Sequence, residues 1–116
     1  MSDVTIWHNP GCGSSKNALQ YLSDKGITPT VYQYLKERPT RAQLETLLKQ
    51  LKLRAADLLR PNEDQATKLD LYRDDASEAE ILEAMAAHPK LIQRPIVVTE
   101  RGAVIARPKT LIDDLL

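Results

Sequence analysis

Apolar residues follow two different periods along this chain. Short β-branched runs lie near both ends, and repeats of helical spacing fill the middle. Val4-Thr5-Ile6-Trp7 reads as a strand, closed by Asn9-Pro10-Gly11. A helix is then predicted from about Gly13-Ser14-Ser15 to Lys25, with Ala18, Leu19 and Leu22 apolar and Gly26 suited to the position after its end. Residues 30–35, Thr-Val-Tyr-Gln-Tyr-Leu, read as a second strand. A strand, a helix and a strand this close together favour a parallel pair with a crossover helix.

The middle is helical. Thr40-Arg41-Ala42-Gln43 fits a capping box, and Leu44, Leu47, Leu48 and Leu51 follow at helical spacing. Residues 54–59 and 63–71 read as short helical pieces interrupted at Pro61. Ser77-Glu78-Ala79-Glu80 is a second capping box, and Ile81, Leu82 and Met85 continue a helix that stops before Pro89. Strand character returns in Ile96-Val97-Val98-Thr99 and Ala103-Val104-Ile105-Ala106, which flank Glu100-Arg101-Gly102 as a hairpin would. Pro108 suits the first position of a last helix carrying Leu111, Ile112 and Leu115. The order β-α-β, helices, β-β-α predicts an α/β fold around a small mixed sheet.

With 116 residues, the chain is sized for one domain, 1–116, with a helical insertion at about 40–92. Sixteen Lys and Arg balance sixteen Asp and Glu, which argues against a broad basic surface for nucleic acid or anionic lipid. Phenylalanine is absent, so aliphatic residues must fill the core. No apolar run approaches the roughly 18 residues of a membrane span, and the first residues have no signal-peptide pattern. A cytoplasmic setting, without membrane association, is the expectation.

Cys12 is the one cysteine, so a second thiol in any redox step must come from another molecule. It sits where a strand ends and a helix begins, in His8-Asn9-Pro10-Gly11-Cys12-Gly13-Ser14-Ser15. Free N–H groups and the helix dipole favour a thiolate at such a place. A free cysteine is more often a small core residue, but Gly-Cys-Gly offers it no apolar neighbours. His8 either adds positive charge near Cys12 or only ends the strand. Ser14 and Ser15 either donate hydrogen bonds to the thiolate or cap the helix. His88 is read as a helix C-terminal residue favourable to the dipole.

Four of the eight arginines precede proline: Arg38, Arg60, Arg94 and Arg107. A residue before proline is pushed out of the helical region, so these arginines are expected at element ends. Arg94 lies just before one hairpin strand and Arg107 just after its partner. Antiparallel pairing would bring them to one edge of the sheet, where guanidinium groups suit a tetrahedral oxyanion. Arg38, Arg41, Arg54, Arg73 and Arg101 are read as plainly solvated. A phosphatase-type loop would need Arg where Ala18 stands, and a CxxC would need Cys at Ser15. There is no P-loop, no GxGxxG and no cluster of metal ligands.

The octapeptide from His8 to Ser15 resembles the N-terminal signature of the glutaredoxin-dependent arsenate reductase (ArsC) family. Pro39-Thr40-Arg41, Leu58-Leu59-Arg60, His88-Pro89, Arg94-Pro95-Ile96-Val97-Val98 and Arg107-Pro108 are similar to that family's sequences in the same order. The resemblance implies a thioredoxin-like fold with a helical insertion. It implies that Cys12 is the nucleophile, that His8 helps keep the thiolate, and that Arg60, Arg94 and Arg107 bind the oxyanion. Arg94-Pro95 would be the cis-proline bond of that fold, with Ser15 in support. Two departures stand beside it: the chain ends just after its last helix, where longer arsenate reductases extend, and residue 16 is Lys where Arg is common.

The implied reaction is reduction of arsenate to arsenite through a thiol–arsenic adduct on Cys12. Glutathione would be a co-substrate, glutaredoxin the protein partner, and no bound cofactor or metal is implied. Two other functions fit the same resemblance. One is a glutathione-dependent thiol reductase acting on protein mixed disulfides. The other is a regulator similar to the Spx proteins, which bind RNA polymerase.

Overall fold

The computed structural model describes residues 4–60, 64–73, 75–106 and 109–116. The chain folds into two compact units, one from residues 1–37 with 94–116 and the other from 38–93.

The first unit is built on a four-stranded sheet. β1 (Thr5–Trp7) is followed by α1 (Gly13–Asp24) and β2 (Thr30–Tyr32). β1 and β2 are parallel, with Ile6 opposite Val31, as a crossover helix requires. β3 (Ile96–Thr99) and β4 (Gly102–Ile105) form the hairpin. β3 runs antiparallel to β1, with Trp7 opposite Ile96. The strand order is therefore β2-β1-β3-β4, a mixed sheet.

Alternation sorts β1 between the two faces. Val4 and Ile6 join Ala18, Leu22, Val97, Ala106 and Ile112 in one buried cluster. Trp7 has its ring centroid 4.9 Å from that of Tyr32 and 6.2 Å from that of Tyr34.

Two elements differ from the expected ones. The strand expected over 30–35 stops at Tyr32. Tyr34–Glu37 is instead one helical turn, α2. Gln33 explains this: its N–H donates to the Glu37 carboxylate at 3.0 Å, and its carbonyl accepts from the Lys36 and Glu37 N–H groups. That local ring of bonds outcompetes the β propensity of the aromatic pair. The last helix is a 3-10 helix, Lys109–Leu115, rather than an α-helix. Its three-residue repeat stacks positions 109, 112 and 115 on one side. Ile112 and Leu115 reach the buried cluster there, and Lys109 Nζ stands 5.7 Å from the Tyr21 ring centroid. Pro108, read as the start of that helix, lies outside the described residues.

α1 ends as a Schellman turn. The Ile27 N–H donates to Leu22 O at 3.0 Å and the Gly26 N–H to Ser23 O at 2.9 Å, with Gly26 at φ +77°. A Cβ on Gly26 would meet nothing within 4 Å, so only the backbone opposes substitution. Gly26→Ala is expected to cost about 1 kcal/mol, read as a lower urea midpoint with unchanged slope.

The second unit is helical. α3 (Arg41–Leu51) opens with a complete Thr40–Gln43 capping box. α4 (Ala55–Leu58), α5 (Asp64–Lys68) and α6 (Glu78–Ala87) follow. Leu44, Leu47, Leu58, Ile81 and Met85 are fully buried. Residues 61–63, where the helical pieces were expected to break, lie outside the described residues. At the start of α6, Ser77 accepts from the Glu80 N–H, but the Glu80 carboxylate is engaged by Arg73. A 3-10 turn, Pro89–Leu91, leads to an isolated antiparallel bridge between Leu59 and Ile92.

Several arginines read as plainly solvated are tethers. Arg38 Nη2 donates to Ala87 O, at the end of α6, at 2.8 Å. Arg41 joins Glu45 and Glu83, each at 3.0 Å. Arg73 joins Asp75 and Glu80, and Arg101 Nη1 donates to Leu116 O at 2.6 Å. Arg41–Glu45 is a local pair at helical spacing, but the contacts of Arg38 with Ala87, Arg41 with Glu83 and Arg101 with Leu116 join residues that only folding brings together.

Candidate active site

The loop from His8 to Ser15 is tied at both ends by one hydroxyl. Ser15 is fully buried. Its Oγ accepts from the Asn9 N–H at 2.9 Å and meets His8 Nδ1 at 2.8 Å. Inside the loop, Asn9 Oδ1 accepts from the Gly11 N–H at 2.9 Å, and Asn9 O from the Cys12 N–H at 3.0 Å. Asn9 is therefore the loop's organiser, where the sequence suggested only a strand terminator. An Asn two residues before a glycine can form such an Asx turn, and that signal was there to be read.

Cys12 is the N-cap of α1, in extended conformation, and its side chain makes no capping bond. The thiol is half-buried. Burial pushes it up, but the Ser15 N–H, a hydrogen bond and charge from Arg94, and the Ser14 N–H together hold it below its ordinary value. The backbone N–H groups of both serines favour the thiolate from the first turn of α1, and Ser15 turns its hydroxyl to His8 and Asn9. The lowered thiol pKa predicts that alkylation by iodoacetamide, which needs the thiolate, rises with pH through a midpoint below that of a model thiol. A midpoint at or above the model thiol would contradict the geometry.

His8 follows β1 directly, and its N–H donates to Tyr32 O at 2.9 Å. Only 7% of its surface is exposed. Burial first, then the charge of Lys16, lowers its pKa, against a hydrogen bond from Ser15 that raises it. His8 is thus held toward the neutral imidazole.

Arg94 reaches this loop because of strand register. Trp7, the last residue of β1, faces Ile96, the first of β3, so the residues just beyond each strand meet at the same end. The Arg94–Pro95 peptide is cis. Nε and Nη1 of Arg94 are buried and have no hydrogen-bond partner among the described residues. Buried donors are nearly always paired, so this guanidinium beside Cys12 has capacity for a further acceptor. The Ala106 N–H donates to Pro95 O at 2.8 Å, so β4 also leaves the sheet at this end. Arg107 is the next residue in sequence and lies outside the described residues. Arg60 belongs to the helical unit, half-buried at the end of the Leu58–Arg60 segment.

No group of three or more His, Cys, Asp or Glu placed to hold a metal ion occurs among the described residues. No helix among them is long and apolar enough to cross a membrane.

A mixed sheet with a thiol at the start of its first helix, and a cis-proline at the adjacent strand, defines a thioredoxin-like domain. Comparison with known proteins makes the assignment narrower. The model of the ArsC family matches residues 7–115. An arsenate reductase of Escherichia coli is 40% identical over 116 residues, all of this chain and 82% of that protein. An arsenate reductase of Rhizobium meliloti is 41% identical over 113 residues, 97% of this chain and 81% of that protein. The solved arsenate reductase from Vibrio cholerae superposes with a TM-score of 0.95 at 37% identity, covering 98% of each chain. The chain belongs to the ArsC family.

Proposed function

We propose that this protein reduces arsenate to arsenite with electrons from glutathione and glutaredoxin. The observation that carries this reading is the Arg94 guanidinium, which favours the Cys12 thiolate while two of its nitrogens are buried without a partner among the described residues. An anion approaching a thiolate is repelled unless positive charge lies close by. Arg94 supplies that charge and has donors to hold an oxygen. The relatives named above, all arsenate reductases, support arsenate as that anion. The family resemblance extends the same role to Arg60 and Arg107.

The reaction then runs as follows. The Cys12 thiolate attacks arsenic(V), a sulfur–arsenic bond forms, and one oxygen leaves as water. Glutathione displaces a second oxygen, also as water, to give a Cys12–arsenic–glutathione adduct. A glutaredoxin thiolate attacks the glutathione sulfur. The bond from that sulfur to arsenic breaks with its electron pair left on arsenic, which becomes arsenic(III). The product of this step is a glutathione–glutaredoxin disulfide. Water then cleaves the remaining sulfur–arsenic bond, releasing arsenite and free Cys12. The lone cysteine suffices because both reducing thiols come from elsewhere. In this reading His8 acts as a neutral group, keeping the loop closed through Ser15. Pro95 fixes the backbone beside Arg94.

The test is NADPH consumption with arsenate, glutathione, glutaredoxin and glutathione reductase, with and without this protein. Protein- and arsenate-dependent oxidation is the expected result. Turnover of a glutathionylated protein substrate with none of arsenate would assign a mixed-disulfide reductase instead.

A further inference from the structure

Arg60 closes a short ladder inside the helical unit. Around the Leu59–Ile92 bridge, the Arg60 N–H donates to Leu91 O at 2.7 Å and the Gln93 N–H donates to Leu58 O at 2.9 Å. In a regular antiparallel ladder Arg60 and Leu91 would then exchange a second bond, from the Leu91 N–H to the Arg60 carbonyl. The Leu91 N–H is instead committed to His88 O at 3.0 Å, where it closes the 3-10 turn. The Arg60 carbonyl accepts from the Tyr72 hydroxyl at 2.5 Å. The tyrosine supplies the rung that the turn has removed.

Tyr72 is 43% exposed, so its ring contributes modestly to the core, while its hydroxyl reaches back twelve residues to the Arg60 carbonyl. With the N–H held by Leu91 and the carbonyl by Tyr72, both backbone groups of Arg60 are fixed. A long arginine side chain then starts from a fixed backbone direction, which reduces the ordering needed when it binds an anion.

We propose that Tyr72 is a positioning residue that orients Arg60 for oxyanion binding by holding its carbonyl. The inference rests on the reading above in which Arg60 is an oxyanion ligand. Its test is a double-mutant cycle on the full chain, with Tyr72→Phe, Arg60→Ala and the pair, read by steady-state arsenate reduction. Tyr72→Phe keeps the ring and removes only the hydroxyl. It should raise KM for arsenate roughly three- to ten-fold, the scale of one lost hydrogen bond, with little change in kcat. The alkylation midpoint of Cys12 should not move. In the Arg60→Ala background Tyr72→Phe should add nothing, because the residue it positions is gone.

An unchanged KM in Tyr72→Phe, while Arg60→Ala weakens arsenate use, would overturn this inference and leave the proposed function standing. The same would follow from an equal effect in both backgrounds, or from a loss of kcat that tracks a lowered melting temperature. If Arg60→Ala itself changes nothing, the role of Arg60 falls and the inference falls with it.

Discussion

Cys12→Ser is expected to reduce arsenate turnover to the uncatalysed background, a loss of roughly 10⁴-fold or more on the scale of other nucleophile deletions. The Cys12 thiol is half-buried and held below its ordinary pKa, whereas the His8 imidazole is buried and engaged by Ser15. A serine hydroxyl in its place would stay protonated, because the same few donors cannot offset its far higher pKa. Stability should not suffer. Cys12 makes no side-chain capping bond, and serine is a good N-cap residue, worth about 0.5–2 kcal/mol over alanine. The variant should therefore unfold at an equal or higher urea concentration while showing no arsenate-dependent NADPH oxidation. An active and stable Cys12→Ser protein would remove the nucleophile from the mechanism. An inactive protein that is also unfolded is not expected, and circular dichroism would reveal it.

The parts legible in the sequence were those set by near neighbours. The Thr40–Gln43 box, the Leu44 to Leu51 repeat and Gly26 after α1 are local rules obeyed locally. The β1–α1–β2 crossover and the 96–105 hairpin follow from spacing and turn chemistry. The parts not legible depended on which contacts folding selects. Residues 33–35 have strand composition, yet the bond from Gln33 to Glu37 turns them into a helical end. The last segment has helical composition, yet docking of Ile112 and Leu115 winds it more tightly.

The same division runs through the site. The sequence placed Cys12 at a helix start, and it is the N-cap of α1. The pre-proline pattern directed attention to arginines, and Arg94 stands beside the thiol. That pattern did not separate Arg94 from Arg38, which ties down the end of α6. Nor did it show that Ser15 would use its hydroxyl to tie His8 to Asn9, or that His8 would be held toward neutrality. Composition cannot distinguish a buried guanidinium with unpartnered nitrogens from one bonded to a helix carbonyl.

That distinction sets the expected behaviour of Arg94→Ala. A charge-assisted hydrogen bond contributes about 1.5–3 kcal/mol, so kcat/KM for arsenate should fall roughly 10- to 150-fold. The loss has two sources that separate experimentally. Arg94 lowers the Cys12 pKa by hydrogen bond and charge, so its removal should move the alkylation midpoint of Cys12 upward. Assayed well above that new midpoint, where the thiolate is restored, the variant should still be impaired, because the donors for the oxyanion are missing. Arg94→Lys should bring the midpoint most of the way back through its charge, while kcat/KM recovers only in part, because an ammonium lacks the planar fork. Arg60→Ala and Arg107→Ala should lower kcat/KM on the same scale if they share the anion, as the family resemblance implies. Arg38→Ala is the control. Its contact is with the Ala87 carbonyl inside the helical unit, so it should cost a little stability and leave arsenate kinetics unchanged. If Arg38→Ala impairs turnover as much as Arg94→Ala, or if Arg94→Ala recovers fully at high pH, then Arg94 does not hold the oxyanion and acts only on the thiol.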